Sequence, residues 1–302
     1  MNVVIKVSDE TKEKIIEYYK DLKKDKEIPY TVFQAQDGDT TVTMYTSGKV
    51  MFQGVSADVD ANMWREIDGQ KSEEEEKKDK RDEKLSNLSS VGSDEVGTGD
   101  YFGPIVVSAT YVDKKDFAFL RDLSVGDSKK INDDRIKEIA PKIIKRIKYR
   151  SLVIDNKQYN DLHKDNNMNK LKAVLHNKVL WSLINEEKIE PELIVVDEFA
   201  REKKYYSYIE ESPNIQRNIT FMTKAEDKNL AVACASIISR YLFLREFDKL
   251  SDSLKIPLVK GAGPAVDEIG KEVVEKYGKE KLKEVAKYNF NNTTRIIGNL
   301  II

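Results

Sequence analysis

Val91-Gly92-Ser93-Asp94-Glu95-Val96-Gly97-Thr98-Gly99-Asp100-Tyr101-Phe102-Gly103-Pro104, followed by the apolar run Ile105 to Val112, is the stretch around which the chain is organised. It reads as a strand, a glycine-rich turn and a returning strand. Two adjacent acids sit inside the first strand of what is otherwise a buried sheet. Acids are poor strand formers and costly to bury, so Asp94 and Glu95 call for a compensating positive charge, and a bound cation is the simplest one. Gly97-Thr98-Gly99 lets the backbone turn sharply and present its N–H groups to an anionic or hydroxyl-bearing ligand. Metal-binding acids beside a backbone cradle suggest phosphate chemistry. Two plainer readings compete. One is an exposed hairpin end with ordinary turn residues. The other, a dinucleotide-binding fingerprint, fails because the third glycine falls one position late, at Gly103, and Pro104 with a β-branched run follows instead of a helix.

At 302 residues the chain has room for two domains, and its net charge of −2 does not announce a nucleic-acid binder. Residues 1–70 carry 9 basic and 13 acidic side chains, a net of −4, whereas residues 90–302 carry 36 and 33, a net of +3. A mildly basic C-terminal part that also holds an acidic cluster is compatible with a polyanionic substrate. The single cysteine, Cys234, rules out an internal disulfide and fits a reducing compartment. With no signal peptide and no apolar run long enough to span a bilayer, the expectation is a soluble, cytoplasmic protein.

Along the chain, residues 2–7 read as a strand and Ser8 as the N-cap of a helix through about Lys26. Strands follow at 31–36, 40–46 and 49–54, separated by Asp37-Gly38-Asp39 and Ser47-Gly48, and a helix at about 58–67 completes a small α+β unit. Residues 69–89 are a mixed charge run with no apolar face before Leu85, which reads as a solvated linker. Beyond the opening hairpin, an amphipathic helix is expected from about Asn132 to Lys148, interrupted near Pro141. A strand at 150–154, a long helix at 169–188, a buried strand Leu193–Asp197, a short strand Ile219–Met222 and an apolar helix 231–247 follow. The domains expected are therefore 1–68, the linker 69–89, and 90–302.

Acids at the ends of apolar strands are the informative pattern, because open α/β sheets build their sites there. Asp94 and Glu95 come from the first strand, Asp197 from the end of a later one, and Glu226 or Asp227 lies in the turn entering a helix. Carboxylates about 5 Å apart repel by about 3 kcal/mol per pair at an effective dielectric near 20. Two divalent ions would turn them into ligands, and all-oxygen ligation selects Mg²⁺ or Mn²⁺ over zinc. Asp197 also reads as a helix N-cap, and acids at 226–227 also suit a first helical turn. His163 and His176 lie in no metal-ligand spacing and read as surface or packing residues. Cys234, among alanines and valine, reads as a core thiol.

Gly92–Pro104 closely resembles the first motif of bacterial ribonuclease HIII. Asp127-Ser128-Lys129, Val196-Asp197, Lys224-Ala225-Glu226, Ala235–Arg240 and Lys260-Gly261-Ala262-Gly263 continue the likeness in order. The resemblance implies an α/β RNase H-like fold, a mixed central sheet flanked by helices, plus a small N-terminal α+β domain similar to the TATA-box-binding protein that helps hold substrate. It implies a four-carboxylate site at Asp94, Glu95, Asp197 and Glu226, which favours Glu226 over Asp227, with two Mg²⁺ or Mn²⁺ ions. It also implies that Gly97, Thr98 and Gly99 read ribose 2′-hydroxyls, the group that separates RNA from DNA. Ser128, Lys129, Lys130 and Lys224 are candidates for phosphate contact. The chain departs from the family at Asn289 and Asn291, where a histidine and a lysine are usual. The function so implied is that of a monomeric endoribonuclease cutting the RNA strand of RNA/DNA hybrids to 5′-phosphate and 3′-hydroxyl ends. Incision at single ribonucleotides in duplex DNA, or hybrid binding without catalysis, are the alternatives.

Overall fold

The structure, a computed structural model, describes residues 1–24, 28–69, 82–126, 131–164 and 166–298. The chain divides into two compact units, Met1–Asp82 and Glu83–Ile302. The expected linker falls largely on residues 70–81, outside those described.

In the first unit the elements run β1 (Asn2–Lys6), α1 (Asp9–Tyr18), β2 (Thr31–Asp37), β3 (Thr40–Tyr45), β4 (Lys49–Gln53) and α2 (Ala57–Ile67). The strands form an antiparallel sheet in the order β1-β4-β3-β2. Alternate residues point inward: Phe33 and Ala35, Val42 and Met44, Val50 and Phe52 are buried against Ile15, Ala61 and Trp64 of the two helices. That period of two leaves one sheet face to the core and the other open. Ser8 caps α1 as expected, its Oγ accepting from the Thr11 N–H. The helix stops well short of Lys26, with only a single 3₁₀ turn, Lys20–Leu22, beyond it. Sheet pairing wins there, because Lys23 bridges Ala35 and the Lys24 N–H donates to the Gln34 carbonyl.

The second unit is built on β5 (Ser90–Val96), β6 (Ile105–Val112), α3 (Asp133–Arg146), β7 (Lys148–Ile154), α4 (Met168–Glu186), β8 (Leu193–Asp197), β9 (Ile219–Met222) and α5 (Leu230–Leu254). Its mixed sheet has the order β7-β6-β5-β8-β9. The pairs β5–β6 and β6–β7 are antiparallel, β5–β8 and β8–β9 parallel. Alternation along β6 sorts the core into two layers. Val106 and Val112 join the cluster of α3 and α5, whereas Ile105, Val107 and Ala109 join that of α4.

Two local features fix α5 over β5. Asn229 caps the helix, its Oδ1 accepting from the N–H groups of Ala231 and Val232, while its amide donates to Ser90 Oγ. Gly92 lets the backbones close, since a Cβ there would stand 2.5 Å from the Val232 nitrogen. Pro141 does not interrupt α3, which runs unbroken from Asp133 to Arg146. The buried stripe Ile136, Ile139, Ala140 and Ile143 continues across it, so packing of that face overrides the lost backbone donor. The apolar helix continues past Phe247 to Leu254, itself buried. No helix among the described residues is long and apolar enough to cross a membrane.

Candidate active site

The parallel register pairs Ser93 with Val196, so the next residues stand side by side: Asp197, the last of β8, and Asp94, two residues before the end of β5. Asp197 is in turn opposite Met222 of β9, and its Oδ1 accepts from the Ala225 N–H at 3.0 Å. That bond holds the 3₁₀ turn Ala225–Asp227, which carries Glu226, against the end of β8. Asp197 therefore secures a turn from the next strand rather than capping a helix, the following one starting only at Glu202.

Burial pushes the Asp94 carboxyl well above the usual carboxylate range, and the negative charges of Glu95 and Glu226 push it further. Hydrogen bonds from Ser236 and from the Glu95 N–H, the latter at 2.8 Å, offset only part of that. Glu226 is thus within electrostatic reach of Asp94, and Asp227 beside it is exposed. Glu95 is shifted the other way. Burial works to raise its carboxyl, but hydrogen bonds and charge from His176 and Lys172 bring it well below its ordinary value. His176 Nε2 lies 2.8 Å from Glu95 Oε2, and Lys172 Nζ pairs with Oε1.

Lys172 and His176 are the residues that sequence reasoning missed. His176 is fully buried and bonded at both ring nitrogens, so it is neither a surface residue nor mere packing. The available signal was their spacing: four apart on a helix puts both on one face, beside the apolar Leu171 and Leu175.

The turn at 97–103 is held from two sides. Gly97 has φ +95°, and a Cβ there would lie 2.1 Å from the Pro104 carbonyl oxygen, so only glycine fits. Gly99 is exposed with open space where a Cβ would go, which leaves room for a ligand. On one side Asp100 Oδ1 accepts from the Gly261 N–H, and the Tyr101 N–H donates to the Gly261 carbonyl. On the other, the fully buried Lys287 donates to the carbonyls of Asp100 and Gly103 at 2.8 and 2.6 Å. Asn289 accepts from the Tyr159 hydroxyl, a structural bond. Lys224 is exposed, in a left-handed conformation two residues before Glu226. Ser128, Lys129 and Lys130 lie outside the described residues. Cys234 is buried, as expected of a core thiol.

Among the described residues, no three His, Cys, Asp or Glu side chains stand close enough together to hold a metal ion as placed. The donor set nevertheless suits a hard divalent cation. It is all oxygen, and Asp94 is raised by burial and by two like charges, a deficit that a cation relieves. Glu95 differs in already having cationic company.

The sequence profile of the family described as Ribonuclease HII matches residues 91–293, about two thirds of the chain. The chain belongs to that family. A ribonuclease HIII of Bacillus cereus is 40% identical over 98% of both chains, and one of Bacillus mycoides 41% identical over 97% of both. Among solved structures, that of Bst-RNase HIII in complex with Mn²⁺ superposes with a TM-score of 0.73 at 38% identity, covering 100% of this chain and 99% of that one. A second profile, a domain of unknown function (DUF3378), matches residues 2–78. The RNase H-like fold expected from the first motif is the fold observed, and the resemblance to ribonuclease HIII extends over nearly the whole chain.

Proposed function

We propose that Asp94, Glu95, Asp197 and Glu226 form the reaction centre of this ribonuclease H and hold two divalent ions, Mg²⁺ or Mn²⁺, against the scissile phosphodiester. The protein is an RNase H-type endonuclease acting on RNA/DNA hybrids, as its family and its near full-length ribonuclease HIII relatives have it. The observation that carries the residue assignment is the β5–β8 register, which brings Asp94 beside Asp197 while the Asp197 carboxylate holds the turn bearing Glu226. Held by these four carboxylates, such ions would supply Lewis acidity for activating a water and for offsetting charge on the leaving oxygen, in a hydrolysis that leaves 5′-phosphate and 3′-hydroxyl ends.

The chain's own groups do the rest. Gly97, Thr98 and Gly99 present backbone donors to the ribose 2′-hydroxyl, with open space at Gly99 to admit it, which selects the RNA strand. Lys224, with Ser128, Lys129 and Lys130, contacts backbone phosphates and so fixes register rather than sequence. Residues 1–68 act as a substrate-binding domain, 69–89 as the linker and 90–302 as the catalytic domain, in a monomeric cytoplasmic protein.

Asp94→Asn is nearly isosteric and tests the centre. Cleavage of a uniform hybrid falls to background while circular dichroism and hybrid binding stay near wild type. Turnover close to wild type by that variant would discard the assignment. Running the wild type on a continuous hybrid and on a duplex with one ribonucleotide, with Mg²⁺ and Mn²⁺ titrated separately, distinguishes hybrid cleavage from single-ribonucleotide incision.

A further inference from the structure

Glu95 is the one acid of the four whose carboxylate is already held on both oxygens by side chains of a helix that carries none of the others. We propose that His176 is a positioning residue of the reaction: braced by Ser93, it fixes the Glu95 carboxylate and, through Phe199, the strand end that carries Asp197. This rests on the reading of the four acids as the reaction centre.

The geometry is a relay of three groups. Ser93 is fully buried on β5, and its Oγ lies 2.7 Å from His176 Nδ1. His176 Nε2 lies 2.8 Å from Glu95 Oε2. A carboxylate only accepts, so the Nε2–H donates to Glu95, while Nδ1 and the Ser93 hydroxyl share the second hydrogen bond. Each group thereby fixes the next, and the imidazole holds one orientation, bonded at both ends.

Phe199 gives the relay its second arm. It follows Asp197 by two residues, and its N–H donates to the Asp197 carbonyl. Its ring lies 5.5 Å from that of His176, and Lys172 Nζ stands 4.2 Å from its centroid. Lys172 and His176 thus touch the ends of β5 and β8 at once, where two of the proposed ligands sit. Packing alone does not account for them. The rest of the buried α4 face is largely Leu171, Ala173, Leu175, Val179, Leu180 and Leu183. A lysine and a histidine ordered against a carboxylate cost more to bury than aliphatic residues of the same volume. A glutamate left free loses rotamer freedom at the moment it takes up a ligand, whereas one held beforehand does not.

The experiment compares wild type with His176→Ala, His176→Gln and Ser93→Ala. Circular dichroism establishes folding, Mn²⁺ binding to the free protein is followed by electron paramagnetic resonance, and kcat and KM are measured on a hybrid. His176→Ala is expected to weaken Mn²⁺ binding and lower kcat, each by about 10- to 100-fold, with KM for the hybrid unchanged. His176→Gln keeps a donor toward Glu95 and recovers part of both losses; Ser93→Ala shows a smaller loss of the same kind. In nitrogen-15 correlation spectra of the metal-free wild type, His176 carries a hydrogen on Nε2. The proposal is overturned by unchanged Mn²⁺ binding and kcat in His176→Ala, by a glutamine variant no better than alanine, or by an Nε2 that carries no hydrogen. Asp94→Asn run alongside keeps the two readings apart. If wild type cleaves and Asp94→Asn does not, the centre stands and the His176 data decide the relay. If wild type does not cleave, the centre fails, and the nitrogen-15 and Mn²⁺ data still judge the contact.

Discussion

Lys287 carries its amine into a fully buried position, where it donates to the Asp100 and Gly103 carbonyls under the turn at 97–103. Burial depresses the ammonium from 10.5 to about 7, and the charge of Asp100 offsets little of that. The sign of the linkage follows. Between about 7 and 10.5 the unfolded chain binds a proton that the folded chain releases, so stability rises with pH across that window. The contribution is complete above the unfolded value and is lost as pH falls through the folded one. Urea unfolding of wild type and Lys287→Met at pH 7 and pH 9 should show wild type gaining about 2 kcal/mol on the variant at the higher pH. Parallel pH profiles for the two proteins would show that the lysine is not buried as a strained base. At this scale the acids of the candidate site stood out, because a carboxylate in an apolar strand violates strand preference and burial cost together. Lys287 and His176 did not. Each is an ordinary residue in an ordinary local pattern, and only the fold brings Lys287 to a turn 184 residues away or His176 to Glu95.

The strands were legible for the opposite reason, since each obeys its pattern. The alternation of β2 to β4 and the apolar run of β8 each fix a face by period or by continuity. Pro141 was misleading because local chemistry and packing disagree there. The helix interior lacks one backbone donor, and four buried residues on one stripe hold it together regardless. That conflict has a measurable size. Pro141→Ala restores the donor and removes the ring's clash with the preceding turn, so it should stabilise the second unit by about 1–3 kcal/mol in thermal unfolding. A destabilised variant would mean that the surrounding packing has adapted to the proline ring. The short helices Asn156–His163 and Asn291–Gly298 lay beyond sequence reading, for they are polar and are held by contacts from elsewhere. Asn160, for example, donates to the Lys283 and Ala286 carbonyls, and Asn292 donates to Asp267.

Each unit has a hydrophobic core drawn from its own residues, so each can fold alone. Their charges differ in sign, at −4 for residues 1–70 against +3 for residues 90–302. The open face of the N-terminal sheet places Gln34, Gln36, Thr41, Tyr45 and Gln53 at its surface, with Lys6, Lys49 and Lys24, which donates to Gln36, among its cations. Amides and hydroxyls bond sugars and phosphate oxygens without displacing many counterions, whereas lysines and arginines displace about one each. A substrate-binding role for this unit therefore predicts affinity with little salt dependence. Hybrid binding by the full chain and by residues 83–302 should differ in strength, yet plots of log K against log salt should run nearly parallel. A slope that flattens by several units on removing the N-terminal unit would mean that its few lysines, and not the amide-rich face, carry the contact. Equal affinities at every salt concentration would leave the unit with no part in holding the hybrid, in keeping with its negative charge.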